Sequence, residues 1–123
     1  MYQLGKKSKK KLEGVHPDLV KVVERAIEIT EQDFTVLEGL RDIERQRELV
    51  ITGKSTTLNS RHLTGHAVDL APWPISWEWE GFYPIADAMK TAADELGVSL
   101  EWGGDWKSFP DGPHFQLSRK AYP

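Results

Sequence analysis

Ser60-Arg61-His62-Leu63-Thr64-Gly65-His66-Ala67-Val68-Asp69-Leu70 sets an imidazole and a carboxylate on either side of a glycine. Residues 67–71 read as a short buried strand, with Val68 and Leu70 on one face and Ala67 and Asp69 on the other. A loop ends at His62, Gly65 supplies the backbone freedom for a turn, and the strand brings Asp69 back alongside the imidazole. His62 and His66 also have the four-residue spacing of helical zinc peptidases. That motif requires a helix and a glutamate directly after the first histidine, whereas position 63 is leucine and Gly65 interrupts any helix. The pairing read here is therefore His62 with Asp69.

Alone, such a spacing is met more often by an ordinary polar network. A second half-site, Asp111-Gly112-Pro113-His114-Phe115-Gln116, changes the weight. Residues 113–117 read as a last strand, in which His114 and Gln116 face one way and Phe115 and Leu117 the other. Asp111 precedes His114 by a Gly-Pro turn, a placement from which its carboxylate can overhang a metal without ligating it. Two imidazoles, one ligand carboxylate and one spare carboxylate are the inventory of a catalytic zinc site: three protein ligands, an open position for water and a base.

The rest of the chain reads as scaffold. Its 123 residues make one domain, and 39% hydrophobic with 28% charged residues suits a globular protein. A net charge of -3 gives no electrostatic case for nucleic acid, and the absence of cysteine excludes disulfides, thiolate metal sites and a cysteine nucleophile. Residues 1–14 are expected to be a flexible basic tail, with lysines at 6, 7, 9, 10 and 11, and residues 15–123 the catalytic domain. No apolar run follows the lysines, so neither a signal peptide nor a membrane insertion is expected.

A helix is predicted after His16-Pro17, with Asp18 as cap or first-turn acid and Leu19, Val22, Val23, Ala26 and Ile27 on its buried face. Residues 34–37 read as a strand, residues 43–52 as a second helix capped by Asp42 and stopped by Gly53, and residues 54–60 as a polar loop. Trp73, Trp77 and Trp79 mark residues 72–81 as an aromatic loop. The third helix is placed over residues 83–96, ended by Gly97, and a strand over residues 98–102. Three helices on a small, mainly antiparallel sheet define an α+β fold in a single domain.

The pattern Ser60-x-His62-x-x-Gly65-x-Ala67-x-Asp69 with Asp111-x-x-His114 resembles the zinc peptidases of bacterial cell-wall peptides, the D-Ala-D-Ala metallopeptidase group that shares its core with lysostaphin and Hedgehog proteins. Glu38-Gly39-Leu40-Arg41, Gln46 and Gly53-Lys54-Ser55 look closest to its phage endolysin branch of L-alanyl-D-glutamate endopeptidases. The resemblance spans residues 15–118. It implies one Zn2+ held by His62, Asp69 and His114, with Asp111 as acid/base and Arg41 binding substrate and stabilising the oxyanion. Gln46 and Ser60 fall on supporting polar positions, and His66 on a variable one outside the metal shell. The implied substrate is the peptidoglycan stem peptide, cleaved by a monomer made in the host cytoplasm that reaches the periplasmic wall through a holin-type pore. A D-Ala-D-Ala carboxypeptidase on the same fold and a non-catalytic zinc-dependent peptide binder are the alternatives.

Overall fold

Alternation along the 67–71 run makes β2 (Ala67–Pro72) a strand whose Val68 and Leu70 are fully buried. In the computed structural model, which describes residues 1–55 and 57–123, it lies inside a four-stranded sheet. β1 (Phe34–Glu38) and β4 (His114–Leu117) flank β2, and β3 (Leu100–Trp102) pairs with the outer side of β4. Every pairing is antiparallel. The expected loop over 54–60 includes position 56, which lies outside the described residues.

Register places the chemistry. Asp69 stands opposite His114 on β4, and a bulge between Val36 and Glu38 brings Glu38 opposite Asp69 on the other side. One face of the sheet thus carries Glu38, Asp69 and His114 in a row across three strands. The other face carries Val36, Val68, Leu70, Phe115 and Leu117 into the core. There it meets α2 (Pro17–Ile29) and α4 (Trp79–Leu96), which pack on each other. The buried stripe of α2 is Leu19, Val22, Val23, Ala26 and Ile27, each worth roughly 1.5–3 kcal/mol for its larger side chains on removal from water. α3 (Ile43–Ile51), capped by the Asp42 carboxylate accepting from Arg45 N–H at 2.8 Å, borders the site side.

Two expectations need correction. The N-terminal residues form a helix, α1 (Lys6–Lys11), rather than a flexible tail. Ser8, buried, accepts from Val36 N–H at 2.9 Å and shares a hydrogen bond with Thr35, while Lys11 Nζ donates to the Leu37 carbonyl. Those contacts give the lysine-rich segment a docked face, which its charge concealed. α4 begins at Trp79, four residues before the predicted start, so the aromatic loop is shorter than read. Gly81 and Pro84 argue against helix locally, but Trp79 packs on Phe82, Tyr83 and Trp102, and that contact outweighs propensity. Of the two places offered for Asp18, the first turn of α2 is the one it takes: His16 is the cap, its Nδ1 accepting from Asp18 N–H at 3.1 Å, while the Asp18 carboxylate accepts from the Tyr122 hydroxyl.

Candidate metal centre

His62 rides on a single 3-10 turn, Arg61–Thr64, between a serine cap and a glycine stop. Ser60 Oγ accepts from His62 N–H at 3.2 Å, and Gly65 leaves the turn with φ of +74°. A side chain at Gly65 would fall on the Gly14 carbonyl, so this glycine answers both a backbone angle and a close approach. The Arg41 N–H donates to the His62 carbonyl at 2.9 Å and pins the turn to the end of β1. The His62 ring is then locked, because its Nδ1 lies 2.8 Å from the Gly39 carbonyl and must donate to it.

That bond fixes the tautomer of a neutral His62: Nε2 carries a lone pair, and it points at Asp69 Oδ1, 3.2 Å away. His114 is constrained in the mirrored sense. Its Nε2 lies 2.8 Å from Gln116 Oε1 and its Nδ1 3.2 Å from the same Asp69 oxygen. With both rings neutral, three acceptors converge on one point, an arrangement that only a proton or a cation between them can satisfy. Among the described residues, His62, Asp69 and His114 form the group whose ligand atoms all lie within 4.8 Å of one another. Tetrahedral bonds of ~2.0–2.2 Å would set ligand atoms about 3.4 Å apart, close to the two measured separations. The donor set fits a divalent ion of zinc's preferences: two imidazole nitrogens, one carboxylate oxygen and no sulfur.

Without the ion, protons take its place. Burial pushes the Asp69 carboxyl up, but hydrogen bonds from His114 and His62 outweigh this and hold it well below the usual carboxylate range. Burial likewise pulls the His114 imidazole down, and Asp69 raises it above its ordinary value.

Asp111 lines the same cleft, whose volume is about 930 Å³. Its backbone N–H donates to the Gly103 carbonyl at 2.9 Å, and its carbonyl accepts from His114 N–H at 3.2 Å. A Cβ on Gly103 would approach the Asp111 carbonyl oxygen to 2.5 Å and His114 Cβ to 3.1 Å, so only glycine allows the two segments to meet this closely. Burial and the negative charge of Asp69 push the Asp111 carboxyl up, against the pull of His114, His62 and Arg41. A carboxyl raised in this way, in the same cleft as the three grouped side chains, is suited to taking and giving a proton.

Arg41 is more tightly engaged than its position between strand and helix suggests. Nε and Nη2 grip Glu38 in a two-pronged pair at 2.8 and 2.7 Å, Nη1 donates to Gln46 Oε1 at 2.7 Å, and Nη2 lies 3.7 Å from Asp69 Oδ2. Its side chain is 8% exposed, Arg41 lines the cleft, and one Nη1 hydrogen has no partner among the bonds just named. Gln46, fully buried, holds Arg41 with its oxygen and donates through Nε2 to Ser55 Oγ and the Thr57 carbonyl. His66 stands apart from the cluster: it bonds Thr64 Oγ1 and packs its ring 5.5 Å from His16.

Glu38, Gln116, Glu101 and Trp106 went unassigned in the sequence. Glu38 grips Arg41, Gln116 backs His114, Glu101 accepts from Gln116, and the Trp106 ring packs 5.1 Å from that of His114. Strand alternation does point to Gln116, two residues from His114 on the same face. Nothing local points to Glu101 or Trp106, which are brought in by the sheet and the following loop.

Three grouped side chains that could hold a metal ion, beside the Asp111 carboxylate in the same cleft, fit a metal-dependent hydrolase. The sequence model for the phage L-alanyl-D-glutamate peptidases matches residues 1–120, and the chain belongs to that family. It is 35% identical over 128 residues to the L-alanyl-D-glutamate peptidase of Escherichia phage T5, covering 98% of this chain and 93% of the relative. The peptidoglycan L-alanyl-D-glutamate endopeptidase CwlK of Bacillus subtilis is 30% identical over 101 residues, 69% of this chain and 60% of CwlK. Among solved structures, the L-Ala D-Glu endopeptidase ChiX of Serratia marcescens superposes with a TM-score of 0.92 at 52% identity, over 96% of this chain and 91% of ChiX. A vancomycin-resistance D,D-dipeptidase, VanXYg, shares the fold at a TM-score of 0.56 and 17% identity, over 84% of this chain and half of VanXYg.

Proposed function

We propose that this chain is a zinc-dependent endopeptidase that hydrolyses the L-alanyl-D-glutamate bond of peptidoglycan stem peptides, with His62, Asp69 and His114 as the metal ligands. The observation that carries the reading is the convergence of two locked imidazoles on one Asp69 oxygen at 3.2 Å each, in a chain of this family. Zinc held there would supply Lewis-acid polarisation of the scissile carbonyl and a water of lowered pKa.

The chain's own groups do the rest. Asp111 takes the proton of the attacking water and delivers it to the leaving amine, for which its raised carboxyl is suited. Glu38 and Gln46 hold the Arg41 guanidinium beside Asp69, where its charge keeps that carboxylate oriented and would offset the charge developing on the oxyanion. Ser60 sets His62 by capping the turn that carries it. The cleft lining is mixed: Arg45, Lys54 and Arg119 suit carboxylates, and Trp77, Trp106 and Phe109 offer apolar faces.

The enzyme would work as a monomer and reach the wall through a holin-type pore. Among the described residues no helix is long and apolar enough to cross a membrane. Expression with and without such a pore tests this: lysis should need the pore.

Mass spectrometry of products from purified peptidoglycan tests the bond. Cleavage should expose a new amino terminus on D-glutamate and leave L-alanine on the sugar. Release of terminal D-alanine alone would assign a carboxypeptidase instead.

A further inference from the structure

Gln116 and Glu101 face each other across β4 and β3, in the sheet row next to the one that carries His114. We propose that they form a positioning relay, Glu101 to Gln116 to His114, which selects the ring nitrogen that His114 presents to the divalent ion and thereby sets the site's affinity. The relay rests on the metal-centre reading above and extends it to two residues outside the ligand set.

The argument is one of donors and acceptors. Gln116 Nε2 lies 3.1 Å from Glu101 Oε2, and a carboxylate offers only acceptors, so the amide nitrogen must face Glu101. The amide oxygen is thereby turned to His114 Nε2, 2.8 Å away, and that nitrogen must carry the hydrogen. Nδ1 is left as the lone pair aimed at Asp69 and the ion. The opposite amide orientation sets oxygen against carboxylate and N–H against Nε2, which drives the imidazole hydrogen onto Nδ1 and blocks coordination there.

Burial gives the choice its weight. His114 is 8% exposed and Gln116 9%, so the bond between them is buried and a misturned amide leaves His114 Nε2 without ready compensation from water, although Glu101 itself is exposed. Ala67, opposite Gln116 on β2, keeps that side of the amide free of competing polar groups. His62 has no comparable dependence on side chains, because its hydrogen goes to the Gly39 backbone carbonyl. The two imidazoles of the centre are therefore oriented by different means, and the His114 half can be retuned by substitution. Partners of this kind typically change metal affinity 10–100-fold when removed.

Zinc competition against a chromophoric chelator, with thermal melting of the same metal-free proteins, tests the relay. Glu101→Gln, which can present either amide end, should weaken zinc binding about tenfold, and Gln116→Leu about 10–100-fold. The double exchange Glu101→Gln with Gln116→Glu transposes carboxylate and amide: the new carboxylate accepts directly from His114 Nε2, and affinity should return to within about threefold of wild type. A purely structural role predicts lower melting temperatures at unchanged zinc affinity and no rescue by the exchange; that result overturns the relay. A wild-type chain that binds zinc no better than the variants overturns the relay alone, whereas one that takes up no zinc overturns the metal reading together with it.

Discussion

Gly65→Ala puts a number on how the turn between His62 and Asp69 is held. An L side chain at φ of +74° costs about 1–2 kcal/mol. The new Cβ would also overlap the Gly14 carbonyl oxygen and touch Val15 Cα at 3.4 Å. Residues 14–16 cannot simply withdraw, because the His16 N–H donates to the Gly65 carbonyl at 2.8 Å, and overpacking of this kind costs about 1–3 kcal/mol. A stiffer unfolded chain returns about 0.4–1 kcal/mol. The net loss is about 2–4 kcal/mol, a drop of roughly 8–15 °C in melting temperature for a domain of this size. Gly53→Ala is the matched control, with φ of +77° and, among the described residues, nothing within 4 Å of the new Cβ, so it carries the strain without the overlap. Melting should be followed by circular dichroism in excess chelator, so that metal binding does not mask the difference. If the two variants melt within about 2 °C of each other, the turn is not clamped by Gly14 and the reasoning fails.

Asp111→Asn should keep wild-type zinc uptake while kcat/KM on a stem-peptide substrate falls about 10²–10⁴-fold, the usual worth of a general base; near wild-type turnover would remove Asp111 from the mechanism. In the metal-free chain, Asp69 holds His114 above its ordinary value, so the stability this pair contributes is fully present below the ordinary imidazole range and is lost as pH rises through the raised pKa. Its melting temperature should therefore fall from neutral to alkaline pH, while zinc affinity rises over the same range as protons leave the ligands; parallel trends would contradict the coupling. The part contributed by Asp69, whose carboxyl is depressed, should persist above the usual carboxylate range and be lost only in strong acid, as acid melts would show. His66→Ala should leave zinc affinity within about twofold of wild type, since that ring bonds Thr64 and packs on His16; a tenfold loss would draw it into the metal shell.

Much of this molecule is legible in strand and helix periodicity. The α2 stripe from Leu19 to Ile27, the alternation of β2 and the shared facing of His114 and Gln116 are local patterns, and the sheet preserves them. The proximity of Asp69 to His114 was less accessible, because it depends on antiparallel register between strands far apart in sequence. The lysine cluster misled in another way: a helix of charged residues docks through Ser8 and Lys11, whose hydrogen-bond partners on or beside β1 cannot be read from composition. α4 was misjudged at its start because Trp79 gains its helical place from Phe82, Tyr83 and Trp102, a tertiary contact that outweighs the nearby glycine and proline. Arg41 could be placed beside the site from its neighbours, yet its tight pairing with Glu38 rests on a bulge in β1 that no residue pattern announces.

Elemental analysis of the purified chain and of Asp69→Ala, each dialysed against the same trace of zinc, bears most directly on the centre itself. One equivalent of zinc in the wild type and almost none in the variant is the expected pair of values. A full equivalent retained by a folded Asp69→Ala protein would mean that the ion, and with it the chemistry, is held elsewhere.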